Sequence, residues 1–298
     1  MSSTEALNTV GIIGLGAIGS AFADRLLRAG FDVVGYDVVE AARDAHRDRG
    51  GVPASSIADV AHRCDVIITS LPGVDAARDV AAQLAAVNQP RGGTVLETST
   101  FSAAFKAEFA TAIAATWHTL DCTVSGHPEM IRDDTYTFYF SGGGSYEPEI
   151  LAVMNALSGK PVDAGEFGNA ATIKLVINQM VISHDVVAAE AMSLATRAGM
   201  DPGFAYDLIR ASAGSSRIFE IRGRMMAAQE YPEHPSMYSI IVDKDGPLIA
   251  DMARELRHPV PMFALALQAH VTGMSFGWDG LDPATLAEVY AGRRRPGD

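Results

Sequence analysis

Gly11-Ile12-Ile13-Gly14-Leu15-Gly16-Ala17-Ile18-Gly19 is the stretch whose reading decides the fold. A short apolar run over 10–13 leads into glycines spaced G-x-G-x-x-G. Residues 17–27 then read as a helix with Ile18, Phe22, Leu26 and Leu27 on one face, and Gly30 ends it. Strand, glycine turn and helix N-terminus in this order form a phosphate cradle. Gly14 permits the tight turn, Gly16 leaves room for a pyrophosphate, and Gly19 lets the helix pack close to the strand. Leu15, Ala17 and Ile18 complete the turn. The first helical amides offer free donors and the positive end of the helix dipole.

Outward from the turn, 31–36 reads as a second strand closing on Asp37. An acid about 20 residues beyond the glycines accepts hydrogen bonds from a ribose and repels a 2′-phosphate, so NAD is the expected cofactor. Arg43 nearby leaves NADP open. Further strands are expected over 65–71, 94–97, 120–124 and 136–140, separated by helical segments. That alternation predicts right-handed crossovers and a largely parallel sheet. The runs are almost continuously apolar, as suits strands covered on both faces.

The pattern changes near Gly165. Residues 170–198 contain no Pro or Gly over 29 positions and predict one long, mostly buried helix. Gly199 ends it, and Asp201-Pro202 opens the next with a capping residue and a first-turn proline. Only helical segments follow, over about 203–212, 215–229, 246–256, 260–274 and 283–291. The expected fold is α/β, with an N-terminal Rossmann-type doubly wound sheet followed by an all-α C-terminal domain, joined by a long interdomain helix. The domains are expected over 1–166, binding the dinucleotide, and 167–298, serving substrate and oligomerisation.

Composition narrows the function. The chain has 298 residues, a formal net charge of −13, 48% hydrophobic and 20% charged residues, which excludes disorder as the main state. The acidic balance argues against nucleic-acid binding, which needs clustered cations. No apolar run approaches the ~20 residues of a membrane span. Cys64 and Cys122 are too few for a disulfide framework, and the N-terminus lacks the features of a signal peptide, so a cytoplasmic setting is expected. His118, His184, His234 and His270 show no metal-ligand spacing and read as structural. Arg293-Arg294-Arg295 reads as a solvated tail.

Several blocks then fall in the order of one family. Asp121-Cys122-Thr123-Val124-Ser125-Gly126 is similar to a D-x-P-V-S-G-G substrate segment. Gly165-Glu166-Phe167-Gly168 continues to Lys174 and Asn178, and Lys244-Asp245 matches a K-D pair in the last domain. Leu71-Pro72 and Ser99-Thr100 are smaller matches at strand ends. Over nearly its whole length the chain resembles the β-hydroxyacid dehydrogenases, the group of 3-hydroxyisobutyrate dehydrogenase and tartronate semialdehyde reductase. The resemblance implies NAD(P)-dependent hydride transfer between a nicotinamide and a small β-hydroxyacid or its semialdehyde, with Lys174 as general acid/base. It places Ser125, Gly126, Asn178 and Lys244 at the substrate, and Leu71, Pro72, Thr100 and Lys244 at the cofactor. It also implies a homodimer or homotetramer. Independently, positions i and i+4 share a helix face, so Lys174 and Asn178 can meet one small ligand. Burial in an apolar cleft would lower a lysine pKa toward the range of a general base.

The departures bear on the substrate. His127 replaces the second glycine of the substrate segment and is read as a substrate contact, and Thr123 replaces its proline. Ala103 stands for a proline after Ser99-Thr100, Gln179 for a second asparagine, and Gly246-Pro247 interrupts the stretch after Lys244-Asp245. Cys122, inside the substrate segment, is a place where modification would be felt. Two alternatives share the architecture. Imine reductases usually lack the lysine, and a non-catalytic dinucleotide-binding reader loses it.

Overall fold

The computed structural model describes residues 9–87, 92–142, 144, 146–234 and 237–295. Its first part alternates strands β1 (Thr9–Ile13), β2 (Asp32–Tyr36), β3 (Val52–Pro53), β4 (Val66–Thr69), β5 (Gly93–Glu97), β6 (Trp117–Ser125), β7 (Thr137–Ser141) and β8 (Val162–Asp163) with helices. The helices are α1 (Ala17–Arg28), α2 (Glu40–Asp48), α3 (Ile57–Arg63), α4 (Val74–Ala85), α5 (Ala103–Ile113), α6 (Pro128–Arg132), α7 (Pro148–Leu157) and α8 (Asn169–Arg197). The eight strands form one sheet in the order β3-β2-β1-β4-β5-β6-β7-β8. Neighbours are parallel except β6 and β7, which are antiparallel. The chain winds outward through β2 and β3, then returns to lay β4 on the other side of β1. That reversal opens a crevice at the carboxyl ends of β1 and β4.

Alternate side chains feed two apolar layers. Val10 and Ile12 pack with Phe22 and Leu26 of α1 and Leu157 of α7. Ile13, Ile67 and Val95 pack with Val60 of α3, Leu84 of α4 and Phe109 of α5. Because both faces are buried, the strands need apolar residues at every position, and the expected runs are found within a few residues. The run expected over 120–124 is longer. After Asp121, which pairs with Glu97 of β5, the strand continues on β7 alone and carries Ser125 beyond its parallel neighbours. The two-residue strands β3 and β8 carry no run long enough to signal them.

The chain divides into two compact units, one ending at Lys174 and one beginning at Leu175. The division falls within α8, where the sequence reading places it at 166/167, because the first turn of α8 is tied to the sheet. The second unit is helical. Its core gathers Leu175, Ile182, Ala189 and Met192 of α8 with Phe219, Ile249, Phe263 and Leu286. The buried Arg222 guanidinium bonds Asp185 and, at 2.9 Å, Asp282. α8 is less buried than its composition suggests: Met180, Val187 and Leu194 are exposed, Leu194 by 71%.

Two π-helical turns, Phe219–Gly223 and Ile240–Asp245, stand inside helical runs that the sequence reads as an ordinary helix or leaves unassigned. Gly246-Pro247 opens the helix expected over about 246–256. The Gly246 N–H donates to Ile241 O, and helix Gly246–Glu255 continues with Pro247 in its first turn. A proline lacks the N–H of a regular helix and crowds the carbonyl four residues back, and a widened turn accommodates it. No helix among the described residues is long and apolar enough to cross a membrane.

Candidate active site at the carboxyl edge of the sheet

The glycine turn has the geometry its sequence demands. Gly14 has φ +94°, and a Cβ there would lie 2.1 Å from Ser70 O. A Cβ on Gly19 would lie 1.9 Å from Gly14 O, so no side chain fits where α1 meets the turn. Gly16 differs: a Cβ there would meet nothing within 4 Å, so its face is open. Gly16 is also the N-cap of α1, and no side chain caps the helix. Open space in front of an uncapped helix N-terminus fits a pyrophosphate.

Asp37 locks this turn to the end of β2. Its Oδ2 accepts the Leu15 N–H at 2.8 Å and its Oδ1 accepts the Val39 N–H at 2.8 Å. Each oxygen keeps a lone pair, so the carboxylate can still accept from a ribose hydroxyl. The Arg43 guanidinium donates to the Asp37 carbonyl at 2.5 Å and lies over the Tyr36 ring at 5.9 Å. The carboxylate is thus the group at the tip of β2, and the cation beside it is held by backbone.

The next strand ends are cross-braced. The Leu71 N–H donates to Ser99 Oγ at 2.8 Å, and the Thr98 hydroxyl donates to Thr69 O at 2.7 Å. Leu71 is buried, while Pro72 is exposed and Thr100 half-buried. Farther along, Ser125 is half-buried at the end of β6 and Gly126 is exposed. His127 stands at the N-cap position of α6 with no side-chain capping bond, and its Nδ1 lies 2.8 Å from Glu129 Oε2. The Glu129 carboxyl is held below its ordinary range, first by its own backbone amide and then by His127. Residues 14–19, 37, 71, 100 and 125–127 thus all lie along one carboxyl edge.

Lys174, the last residue of the first unit, is half-buried in α8. Asn178, one turn farther on, donates through Nδ2 to Asp245 Oδ2 at 2.7 Å within the second unit. This bond leaves the Asn178 carbonyl oxygen available as an acceptor. Lys244 and Asp245 occupy the π-turn, an irregularity often found at functional sites. Cys122 departs from its expectation. It is fully buried, and burial raises its thiol pKa well above the ordinary value, so it is shielded from modification.

The largest feature absent from the sequence reading is a buried charge cluster under this edge. Lys106 of α5 is 1% exposed. Its Nζ lies 3.0 Å from Glu97 Oε2 and 2.8 Å from Asp121 Oδ1, and donates to Glu97 O at 3.0 Å and Cys122 O at 2.6 Å. Burial alone would lower the ammonium pKa, but Glu97 and Asp121 outweigh it and hold it above the ordinary lysine value. The available signal was a lysine at a position where α5 otherwise buries Phe105, Phe109 and Ile113.

A glycine-turn cradle, an acid at the tip of β2 and a doubly wound sheet define a nicotinamide-dinucleotide oxidoreductase. Comparison with known proteins agrees. Residues 9–165 match the NAD binding domain of 6-phosphogluconate dehydrogenase, and residues 168–290 match the NAD-binding family of NADP-dependent 3-hydroxyisobutyrate dehydrogenase. The chain is 33% identical to an L-threonate dehydrogenase of Cupriavidus necator, over 97% of this chain and 98% of that one. It is 26% identical to the mitochondrial 3-hydroxyisobutyrate dehydrogenase of Drosophila melanogaster, over 97% and 90%. The crystal structure of a 3-hydroxyisobutyrate dehydrogenase from Salmonella typhimurium superposes with a TM-score of 0.81 at 29% identity, covering 94% and 99%. The chain belongs to the β-hydroxyacid dehydrogenase family and is an NAD(P)-dependent dehydrogenase acting on CH–OH groups of a small molecule. These relatives favour neither an imine reductase nor a non-catalytic reader over that activity.

Proposed function

We propose that the chain interconverts a short, polar β-hydroxyacid and its carbonyl counterpart, with NAD as cofactor and Lys174 as acid/base. The observation that carries this reading is the placement of the glycine turn, Asp37 and the Ser125-Gly126-His127 segment along one carboxyl edge. The bound nicotinamide supplies the hydride acceptor. In oxidation, the neutral Lys174 amine takes the proton of the substrate hydroxyl as the carbonyl forms and hydride leaves the same carbon. In reduction, the ammonium returns that proton to the oxygen. Ser125 and the Gly126 amide hold the acid's oxygens, and the family resemblance gives Asn178 and Lys244 a substrate-binding role as well.

NAD is preferred over NADP because a 2′-phosphate would meet the Asp37 carboxylate, while Arg43 is engaged with backbone and the Tyr36 ring. His127, braced by Glu129, favours a substrate with an extra hydroxyl, such as L-threonate, over methyl-bearing 3-hydroxyisobutyrate. Self-association as a dimer or tetramer is supported by the exposed Met180, Val187 and Leu194, spaced seven apart along α8 and suited to a second copy's helix.

The test is NADH formation at 340 nm with L-threonate and 3-hydroxyisobutyrate, each with NAD and NADP, for wild type and Lys174→Ala. Turnover with NAD should fall by ~10²–10⁴-fold in the variant while NADH binding persists. Near-normal turnover in Lys174→Ala would refute the assignment.

A further inference from the structure

One rung of the sheet is unusual. Register aligns Tyr36, Ile13, Thr69, Glu97, Asp121 and Ser141 across six strands, the last rung before the carboxyl edge. Four successive positions in it, Thr69 to Ser141, are polar and buried. Lys106 from α5 bridges the middle two.

One end of this row is tied to the loops of the carboxyl edge and the other to the start of α8. On one side, Glu97 Oε1 accepts the Ser99 N–H at 3.0 Å, and Ser99 Oγ accepts the Leu71 N–H at 2.8 Å. On the other, Asp121 Oδ2 accepts the Ser141 hydroxyl at 2.9 Å and the Ala171 N–H at 2.9 Å, while Ser141 Oγ accepts the Ala170 N–H at 3.1 Å. The Asn169 N–H finds Glu166 O at 3.1 Å, and the Thr172 N–H begins the helical ladder on Gly168 O at 3.0 Å. Every orphan amide of the first turn of α8 is therefore accounted for, two of them by side chains of the sheet. A carboxylate at a helix N-terminus also meets the positive end of the dipole. Lys174 stands three residues past Ala171, about 4.5 Å along the axis.

We propose that Asp121 and Ser141, with Lys106 holding Asp121 in place, are positioning residues that set where Lys174 stands relative to the carboxyl edge. The proposal rests on the reading of Lys174 as acid/base. A polar pair at the start of a helix gives directional bonds where apolar packing would let the helix slide. Lys106 fixes the Asp121 carboxylate by charge and ties it through Glu97 to Ser99 and Leu71. The helix bearing the acid/base and the loops at the edge thereby share one rigid reference.

The test compares wild type, Ser141→Ala, Asp121→Asn and Lys174→Ala in two assays. Amide hydrogen exchange follows the segment 168–175, with peptides from β1 and β4 as reference. Steady-state kinetics use whichever of L-threonate and 3-hydroxyisobutyrate turns over faster. In Ser141→Ala and Asp121→Asn, exchange of 168–175 should quicken about tenfold or more while β1 and β4 keep wild-type protection. The turnover number should fall by at least about tenfold, since a displacement near 1 Å can cost on the order of 10²-fold, with KM for NAD unchanged. In Asp121→Asn the kcat–pH profile should shift, because the helix turn before Lys174 loses the carboxylate that accepts the Ala171 N–H and the acid/base leaves its wild-type surroundings. Wild-type exchange over 168–175 in both variants, or faster exchange with unmoved kcat and pH profile, overturns the proposal. An active Lys174→Ala would instead overturn the acid/base reading and this positioning role with it. The exchange data would then still report whether the clamp exists.

Discussion

Replacing Lys106 with methionine tests the buried cluster in a way that separates charge from packing. Methionine is similarly long and unbranched, so the variant keeps the volume and removes the ammonium. What remains is Glu97 and Asp121, both fully buried, with the cation that stood 3.0 and 2.8 Å from their oxygens gone. Removing one partner of a buried ionic group costs about 3–5 kcal/mol. For a domain of this size ~1 kcal/mol moves Tm by about 2–4 °C, so Tm should fall by roughly 6–20 °C. The pH dependence carries the sign. In wild type the raised pKa of Lys106 means that its contribution is complete below about 10.4 and is lost only as pH rises through the higher folded value. It is therefore constant from pH 5 to 8. In the variant two buried like charges push one carboxyl up, so the folded state holds a proton that the unfolded chain has released. Stability of the variant then falls as pH rises, and the gap to wild type widens from pH 5 to pH 8. Thermal unfolding followed by circular dichroism at both pH values measures this. A Tm within about 2 °C of wild type at both, or a gap that narrows toward pH 8, would refute the reasoning.

Three further outcomes are expected. Asp37→Ser should narrow the preference for NAD over NADP by about 30-fold, equivalent to ~2 kcal/mol of relieved repulsion at a partly exposed carboxylate; an unchanged ratio of kcat/KM values would remove Asp37 from cofactor choice. Burial pushes the Cys64 thiol up to about 12 and Cys122 well above its ordinary value, so neither should react with a disulfide reagent at pH 8 until the protein unfolds; rapid native labelling of either would contradict the buried placement. His127→Gly should lower kcat/KM for L-threonate relative to 3-hydroxyisobutyrate by about tenfold, the worth of one hydrogen bond to a polar hydroxyl; a constant ratio would assign specificity elsewhere.

What the sequence discloses follows from how local each feature is. The glycine turn is legible because Gly14, Gly16 and Gly19 act within six residues: Gly14 and Gly19 leave no room for a Cβ, and Gly16 keeps the face of the turn open. α8 is legible because Pro and Gly are absent over its whole length. The cluster of Lys106, Glu97, Asp121 and Ser141 is not, because sheet register brings its members together from four elements. Lys106 alone looks like a lysine whose stem lies on apolar surface and whose head reaches water. The π-turn at Ile240–Asp245 is hidden for a different reason. Its one sequence trace is Pro247, which reads as the first-turn proline of a helix starting at 246 and says nothing of the turn before it. Cys122 shows the limit of motif reading: its place in the substrate segment suggests reactivity, while its side chain points into the apolar layer with Leu120 and Val124.

The two ends of the sheet order have a consequence for how copies of this protein can meet. Both outermost strands, Val52–Pro53 and Val162–Asp163, are two residues long, and one contains a proline that offers no N–H. An edge this short presents almost no ladder for a foreign strand to join. An eight-stranded, largely parallel sheet is a slow-forming structure whose partly folded forms would be prone to joining edge to edge. Here the finished sheet gives such growth almost nothing to build on.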